Sequence, residues 1–192
     1  MKLLLLTFYM FLLSALTTKL CGQSVQNFNP DLVMSKAELD DYRQSLWDSL
    51  PAAVGWVNDF EGIFSAGEED SLESRIAHFE KSTSIEIVIV TMDTNMVAQD
   101  NQFKFTERFL KIWGIGKKLK RNGIVICICS GYKQIEVVTD AGIETYMSEP
   151  EKEALIKNTF IPYYKNGHYF EGTVEGLNAV LASLFRRLLK SF

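Results

Sequence analysis

The residues of this sequence that could do chemistry are carboxylates at the ends of its apolar segments. Asp59 lies in a predicted loop, Asp93 follows an apolar run directly, and Asp140 and Glu144 follow a later run. Ca²⁺ and Mg²⁺ prefer carboxylate and carbonyl oxygens on loops. The sequence therefore predicts one divalent-cation site, with Asp59, Asp93, Asp140 and Glu144 as its metal ligands.

Each of these acids also has a structural explanation. Asp side chains accept hydrogen bonds from nearby backbone N–H groups in Asx turns, which would account for Asp59 and Asp93. Glu149, just beyond the set, would be an acid in the first turn of a helix. The cation hypothesis therefore requires the ligands to meet at one end of the sheet, and it fails if Asp59 lies opposite Asp140 and Glu144.

No recognisable catalytic nucleophile is present in the sequence. Neither Cys127 nor Cys129 is followed six residues later by arginine, so the phosphate-binding loop of cysteine phosphatases is absent. Asp93 resembles the nucleophile of haloacid-dehalogenase-type phosphatases, but no downstream acidic pair follows that would bind Mg²⁺. His78 and His168 lie beside no nucleophile-elbow sequence. We predict no catalytic residue and no residue that binds an organic cofactor.

Net charge excludes nucleic acid as a general partner. The chain has 20 basic and 24 acidic residues and a net charge of −4 at pH 7, whereas nonspecific nucleic-acid binding depends on neutralising phosphates. One stretch is basic, with Lys111, Lys117, Lys118, Lys120 and Arg121 close together. A solvated basic loop is the favoured interpretation, and a site for an anion or a lipid headgroup is the alternative.

Residues 1–22 have the pattern of a cleavable signal peptide. The apolar run over residues 3–16 is shorter than the roughly 20 residues that cross a bilayer, so no transmembrane segment is expected in the mature chain. Gly22 supplies a small residue before the cut, and we expect a mature chain that begins at Gln23 and is exported to the periplasm or the extracellular space. A lipoprotein tether through Cys21 is the alternative.

The rest of the chain is predicted to form a helical lead-in arm over residues 23–54 and one α/β domain over residues 55–192. Ser65 followed by Glu68 has the spacing of a capping box and predicts a helix start. A second helix start is predicted at Ser148, and the last helix is predicted to begin at about Gly172 with Phe185 on its buried stripe.

Three apolar runs are predicted to be strands. Residues 85–92 are continuously apolar and β-branched, which predicts a central strand covered on both faces. Residues 123–129 and 134–139 are joined by a short link, which predicts an antiparallel hairpin with Cys127 and Cys129 as buried free thiols. The predicted fold class is α/β, a three-layer α/β/α sandwich with a small mixed sheet flanked by helices.

A set of short motifs, in this order, resembles the TPM domain family. They cover about residues 55–184 and are Val57-Asn58-Asp59-Phe60, Trp113-Gly114-Ile115-Gly116, Asn122-Gly123, Gly142-Ile143-Glu144 and Asn166-Gly167-His168-Tyr169. The resemblance implies an exported α/β/α domain of bacterial envelopes and of the thylakoid lumen, where one member is linked to photosystem repair. Some members resemble weak acid phosphatases and some bind divalent cations.

The sequence departs from the family pattern at Arg121, where an acidic or Asn residue is common. A positive charge there weakens the transfer of metal binding, for which Asp140 would compensate. We therefore expect a noncatalytic exported module that binds Ca²⁺ or Mg²⁺ and an envelope protein partner. The alternative is a weak metal-dependent acid phosphatase. The sequence predicts neither the identity of the partner nor the oligomeric state.

Overall fold

The computed structural model describes residues 34–190, which from Lys36 onward belong to one compact unit. The predicted signal peptide, Cys21 and the first part of the lead-in arm lie outside the described residues. Within the described range, no helix combines the length and the apolar character needed to cross a bilayer.

Four strands form one mixed sheet in the order β1-β2-β3-β4. The strands are β1 (Val57–Asp59), β2 (Glu86–Thr91), β3 (Gly123–Cys129) and β4 (Gln134–Thr139). β1, β2 and β3 run parallel, and β4 runs antiparallel to β3. The central strand and the hairpin are confirmed. β1 was not predicted, because three residues that include a buried Asn carry no apolar alternation.

Helices cover both faces of the sheet. In the described part of the chain they are α1 (Lys36–Asp48), α2 (Ala66–Thr83), α3 (Gln102–Ile112), α4 (Ala141–Glu144), α5 (Glu149–Leu155), α6 (Ile161–Tyr164) and α7 (Tyr169–Leu188). A 3-10 turn, Gln99–Asn101, precedes α3, and a π-helical segment, Ile156–Phe160, joins α5 to α6.

Strand alternation sorts the core into two layers of side chains. Ile87 and Ile89 point to the face covered by α2, the π-helical segment and α7, whereas Val88 and Val90 point to the face covered by α3. This arrangement confirms the three-layer α/β/α sandwich, because residues i and i+2 of a strand share a face.

The capping box predicted at Ser65 is present, and the helix start predicted at Ser148 also has a capping box. The backbone N–H of Ser65 donates to Glu68 Oε2 at 2.7 Å, and Glu68 N–H donates back to the Ser65 carbonyl at 2.9 Å. Ser148 N–H donates to Glu151 Oε2 at 2.9 Å at the start of α5. These bonds satisfy backbone donors that the first helical turn leaves free.

The last helix differs from the prediction in two respects. It begins at Tyr169 rather than Gly172, because the left-handed turn that precedes it is made by Gly167 (φ 79°). Gly172 lies inside α7, where a Cβ would meet the Tyr164 ring at 2.8 Å. Phe185 is 49% exposed rather than buried, since Leu184 takes the inward position of that turn.

The helix of the lead-in arm packs on α3. The Trp47 and Phe105 rings meet edge to face with centroids 5.1 Å apart, and the Arg108 guanidinium lies 4.8 Å above the Trp47 ring. Arg43 donates to the Thr94 carbonyl at 2.6 Å. α1 therefore contributes to the same layer as α3 and reaches the turn that follows β2.

Candidate functional site

The structure separates the four predicted metal ligands. Asp59 ends β1 instead of lying in a loop, and Asp93 follows β2, so both lie where the parallel strands end, which we call the carboxyl end of the sheet. Asp140 follows the antiparallel β4 and its N–H donates to Gly123 O at 2.9 Å at the start of β3, which we call the amino end.

About 20 Å of strand separates the two ends, since each residue of β3 rises roughly 3.3 Å. Glu144 closes the one-turn helix α4 directly after Asp140, so it also lies at the amino end. The expected single site of four ligands is therefore not formed. Within residues 34–190, no group of three or more His, Cys, Asp or Glu side chains is arranged to hold a metal ion.

At the carboxyl end of the sheet, two consecutive crossovers leave toward opposite faces. The crossovers β1-α2-β2 and β2-α3-β3 step the same way across the sheet, yet α2 covers one face and α3 the other. One crossover must therefore be left-handed, which is rare in parallel sheets. The loops after β1 and β2 therefore diverge toward opposite faces, although the strand order does not reverse there. In open α/β sheets, ligands bind outside the carboxyl ends of the strands where neighbouring loops diverge in this way.

Asp59 ties the turn between β1 and α2. Its Oδ1 accepts hydrogen bonds from the hydroxyl of Thr91 and from Gly62 N–H, the latter at 3.0 Å, and its Oδ2 accepts from Phe64 N–H at 2.8 Å. Thr91 is fully buried on the neighbouring strand. The carboxylate therefore acts as a cap that joins two strands and one turn, as the Asx-turn interpretation expects.

Glu61 is a further acid of the carboxyl end that the sequence reasoning missed. Its carboxylate accepts the Ser130 hydroxyl through Oε1 and Ser130 N–H at 3.0 Å through Oε2, and its own N–H donates to Thr91 Oγ1 at 2.9 Å. Tyr169 donates its hydroxyl to Ser130 O at 2.9 Å. The signal that could have found Glu61 is its place two residues after Asp59, in the same turn.

Asp93 caps the turn after β2. Its Oδ1 accepts from Asn95 N–H at 2.7 Å and from Met96 N–H at 2.9 Å. In the described part of the chain, Oδ2 of Asp93 accepts no hydrogen bond. Burial, and next the charge of Asp93, raises the pKa of Tyr42 on α1. Arg43 of the same helix donates to the Thr94 carbonyl in this turn.

The acids of the carboxyl end have no salt-bridge partner among the described residues. In the structure as described, none of Asp59, Glu61 and Asp93 forms an ion pair with a Lys or Arg side chain. Burial raises the pKa of the Tyr169 hydroxyl, and the charge of Glu61 raises it further. These three acids therefore lie at the carboxyl end without a salt bridge in the described structure, although the Arg43 guanidinium donates to the Thr94 carbonyl in the turn that Asp93 caps.

The two thiols are buried and free, as predicted. Burial raises the pKa of Cys127 to about 12 and that of Cys129 to about 11, with the charge of Glu61 adding to the effect on Cys129. Thiols with such pKa values remain protonated at neutral pH and are poor nucleophiles. His78 is exposed on α2 and His168 is exposed directly before α7, and among the described residues neither imidazole is hydrogen-bonded to a hydroxyl or a thiol in the manner of a catalytic base.

The amino end has the opposite character. Arg121 Nη2 lies 2.8 Å from Asp140 Oδ1, and Ala141 N–H donates to the same oxygen at 2.8 Å. Asp140, Glu144 and Arg121 line an open groove of about 660 Å³ together with Lys111 and Lys118. The basic side chains of this groove disfavour a cation there, because like charges repel in a partly desolvated site.

Solved structures with the same fold are known. The N-terminal domain of a protein from P. gingivalis is 25% identical with a TM-score of 0.62, over 74% of this chain and 87% of that one. The BA42 protein from Bizionia argentinensis is 22% identical with a TM-score of 0.56, over 67% and 86%. The N-terminal domain of cg2496 from Corynebacterium glutamicum is 14% identical with a TM-score of 0.52, over 70% and 84%.

These similarities support the fold, and none of the curated proteins matches this sequence. The family model TPM_phosphatase, described as the TPM domain, matches residues 57–183. That range is more than half of the chain, runs from β1 into α7 and contains all the short motifs of the resemblance. The chain belongs to the TPM domain family.

Proposed function

We propose that this chain is an exported, noncatalytic binding module that takes up a divalent cation, and with it a protein partner, at the carboxyl end of its sheet. The observation that supports the proposal is that Asp59, Glu61 and Asp93 all lie at the carboxyl end without an ion-pair partner among the described residues, although the three carboxylates do not form a ready metal cage. Oxygen ligands on turns suit Ca²⁺ and Mg²⁺, which prefer carboxylates and carbonyls.

The proposal moves the cation away from Asp140 and Glu144. Arg121 already neutralises Asp140, and Lys118 adds positive charge to the same groove. At the carboxyl end, Asp93 offers Oδ2, and Glu61 and Asp59 add two further negative charges at the same end of the sheet. A cation there would offset repulsion among the acids, which is why we assign it to this end.

A noncatalytic role is supported by the state of the candidate nucleophiles. Cys127 and Cys129 are buried with raised pKa values. The Ser130 hydroxyl donates to Glu61, but no histidine lies in the same network of hydrogen bonds. Acyl or phosphoryl transfer through a side chain requires a nucleophile activated by an oriented base, and this site offers only a carboxylate.

Thermal unfolding with and without Ca²⁺ or Mg²⁺ tests the cation. We expect the Tm of the full chain to rise with cation concentration, because a ligand that binds only the folded state stabilises it by mass action. The variant Asp93→Asn keeps the acceptor for Asn95 and Met96 but removes the charge, so we expect it to fold and to lose most of the Tm increase.

Glu144→Gln is the matched control at the amino end. Its side chain is exposed, so the variant is expected to fold and to respond to the cation as the wild type does. A Tm increase that Glu144→Gln removes and Asp93→Asn keeps would overturn the assignment to the carboxyl end. No Tm change and no heat of binding with either cation would remove the cation from the proposal.

Export is supported by the signal-peptide pattern of residues 1–22. N-terminal sequencing of the chain recovered from outside the producing cytoplasm tests it, with Gln23 as the expected first residue. An unprocessed chain that remains in the cytoplasm would contradict export. A lipid-modified N-terminus at Cys21 would support the tethered alternative.

A weak metal-dependent phosphatase is the second candidate, favoured by the word phosphatase in the name of the matching family model. A bound cation would activate water in such an enzyme, so no side-chain nucleophile is needed. The test is phosphate release from a small aryl phosphate at acid pH. Activity that requires the cation and falls in Asp93→Asn would favour this candidate, and activity equal in that variant and in the wild type would count against it.

A further inference from the structure

Leu119 is the most exposed large apolar side chain that the described residues contain. It is 99% exposed and lies at the tip of the turn formed by residues 117–120, between α3 and β3. Lys117 and Lys118 precede it and Lys120 and Arg121 follow it. A single apolar tip with two cations on each side therefore projects from the fold.

Backbone hydrogen bonds hold this turn in one conformation. Lys120 N–H and Arg121 N–H both donate to Lys117 O at 2.8 Å, and Lys117 N–H donates to Asn122 Oδ1 at 2.8 Å. Asn122 Nδ2 in turn donates to Ser84 O at 2.6 Å. These bonds constrain the backbone on both sides of the tip, which lowers the entropy that the turn would lose on binding.

Of the four cations around the tip, two form ion pairs and two do not. Lys117 pairs with Glu80 at 3.4 Å and with Glu86, and Arg121 pairs with Asp140. Lys118 and Lys120 form no ion pair with any residue that the structure describes. The two cations that flank Leu119 directly are therefore available to an external anion.

The surrounding segment has the same composition. Residues 102–123 carry seven Lys or Arg residues and one acid, a net charge of +6 in a chain whose total is −4. Two further exposed apolar side chains lie in it, Phe103 at 51% and Ile112 at 60%. Positive charge and exposed apolar area are thus concentrated in one segment of an acidic protein.

We propose that the turn of residues 117–120 docks this domain on an anionic lipid surface, with Leu119 in the boundary between headgroups and acyl chains and Lys118 and Lys120 at the lipid phosphates. This inference is independent of the cation proposed for the carboxyl end. A leucine enters the interface favourably, while the lysine stems extend along the apolar surface and keep their charges among the headgroups.

A bilayer fits this surface better than an acidic protein does. A protein interface needs roughly 800 Å² per partner with a packed apolar centre. Leu119 has almost no neighbouring surface with which to build such a centre, because its side chain is nearly completely exposed. A lipid interface requires no matching pocket and takes up an isolated apolar tip.

A probe at position 119 tests insertion directly. Leu119→Cys is made in a Cys21→Ser background and labelled with a polarity-sensitive fluorophore, while Cys127 and Cys129 are buried and remain unlabelled. We expect the emission to shift to the blue with vesicles that contain phosphatidylglycerol and not with phosphatidylcholine alone. High salt should reverse the shift, because it screens attraction between lysines and lipid.

Val54→Cys is the matched control for the probe. Val54 is apolar and 90% exposed, and no Lys or Arg lies among residues 51–55. Its label should keep its emission on the same vesicles. A shift at both positions would show that the apolar run of residues 3–16 brings the whole chain to the bilayer, and that result would overturn the proposal.

Charge variants test the lysines. Lys118→Gln combined with Lys120→Gln should lower partitioning to anionic vesicles about 25-fold, since each cation near such a surface contributes roughly fivefold. Lys157→Gln combined with Lys165→Gln removes two exposed cations elsewhere and should leave partitioning unchanged. Equal loss in both pairs, or a blue shift with polyglutamate but not with vesicles, would overturn the proposal.

Discussion

Arg121 Nη2 lies 2.8 Å from Asp140 Oδ1, and this ion pair balances the charge of the Asp140 carboxylate at the amino end of the sheet. At the carboxyl end, Asp59, Glu61 and Asp93 accept from backbone and hydroxyl donors and form no ion pair in the described part of the chain. The two ends are therefore chemically different although both carry acids. The difference arises because β4 runs antiparallel and delivers Asp140 to the far end of β3.

Asp59→Ala is expected to destabilise the fold. The substitution removes the acceptor for three donors, the Thr91 hydroxyl and the N–H groups of Gly62 and Phe64. The buried Thr91 hydroxyl then loses its carboxylate acceptor. Hydrogen bonds to charged groups contribute about 1.5 to 3 kcal/mol each, with partial replacement by water, so we expect a loss of about 2 to 4 kcal/mol in urea unfolding.

Two control variants separate the hydrogen-bonding role of the Asp59 carboxylate from the effect of its negative charge. Asp59→Asn keeps an acceptor for Thr91 and Gly62 and should cost about half as much, since one charge-assisted bond is lost. Asp70→Ala removes an exposed acid of α2 and should change stability by about 0.5 kcal/mol or less. Equal stability of Asp59→Ala and Asp70→Ala would show that Asp59 is not a structural cap.

Ser84→Gly is expected to stabilise the protein. Ser84 follows α2 with φ 64°, the left-handed conformation that a side chain disfavours and glycine adopts freely. Its N–H donates to Glu80 O at 2.6 Å, which either residue can do. We expect a gain of about 0.5 to 1 kcal/mol in the free energy of unfolding.

Ser82→Gly is the opposite test within the same helix. Ser82 lies in the last turn of α2 in helical conformation, where glycine costs roughly 0.5 kcal/mol relative to serine. Chemical denaturation of the two variants side by side should give shifts of opposite sign. A loss of stability in both would mean that the left-handed conformation at Ser84 carries no strain.

Much of the fold could be predicted from local pattern. Three strands of the sheet were predicted from the apolar runs at residues 85–92, 123–129 and 134–139, because continuous apolar runs of that length are typical of buried strands. The helix starts at Ser65 and Ser148 could also be predicted, since each depends on a serine and a glutamate three positions apart.

The candidate site could be predicted only in part, because it depends on strand order and direction. The prediction identified Asp59 and Asp93 as turn acids, but β1 was invisible as a strand, so its parallel pairing with β2 was unknown. Placing Asp140 required knowing that a strand after a hairpin returns to the amino end. Glu61 was missed because its contact with Ser130 spans 69 residues.

Gly142→Ala is expected to distort the amino end. An added Cβ would lie 2.0 Å from Lys120 O and 2.6 Å from Arg121 O, and both are backbone atoms that cannot rotate away. The Gly142 N–H also donates to Arg121 O at 2.8 Å. Overpacking of this kind costs about 1 to 3 kcal/mol, so we expect a clear loss in the free energy of unfolding.

Gly67→Ala controls for the general effect of replacing glycine. Nothing lies within 4 Å of an added Cβ there, and Gly67 lies in the first turn of α2. Alanine should stabilise this position by up to about 1 kcal/mol, as in other helices. Equal effects of the two substitutions would show that Lys120 and Arg121 do not restrict position 142.

Burial of the two thiols predicts slow reaction with thiol reagents and a pH dependence of the free energy of unfolding. With pKa values of about 12 for Cys127 and about 11 for Cys129, against 9.0 when unperturbed, the folded chain keeps protons that the unfolded chain releases. Between about pH 9 and pH 12 the unfolded state therefore binds fewer protons, and the free energy of unfolding falls as pH rises.

In a Cys21→Ser background, a disulfide reagent at pH 8 should modify neither thiol until urea unfolds the chain. Replacing both cysteines with alanine should reduce the slope of stability against pH above pH 9, and an unchanged slope would mean that other groups, such as Tyr164 whose pKa is also raised by burial, cause the decline.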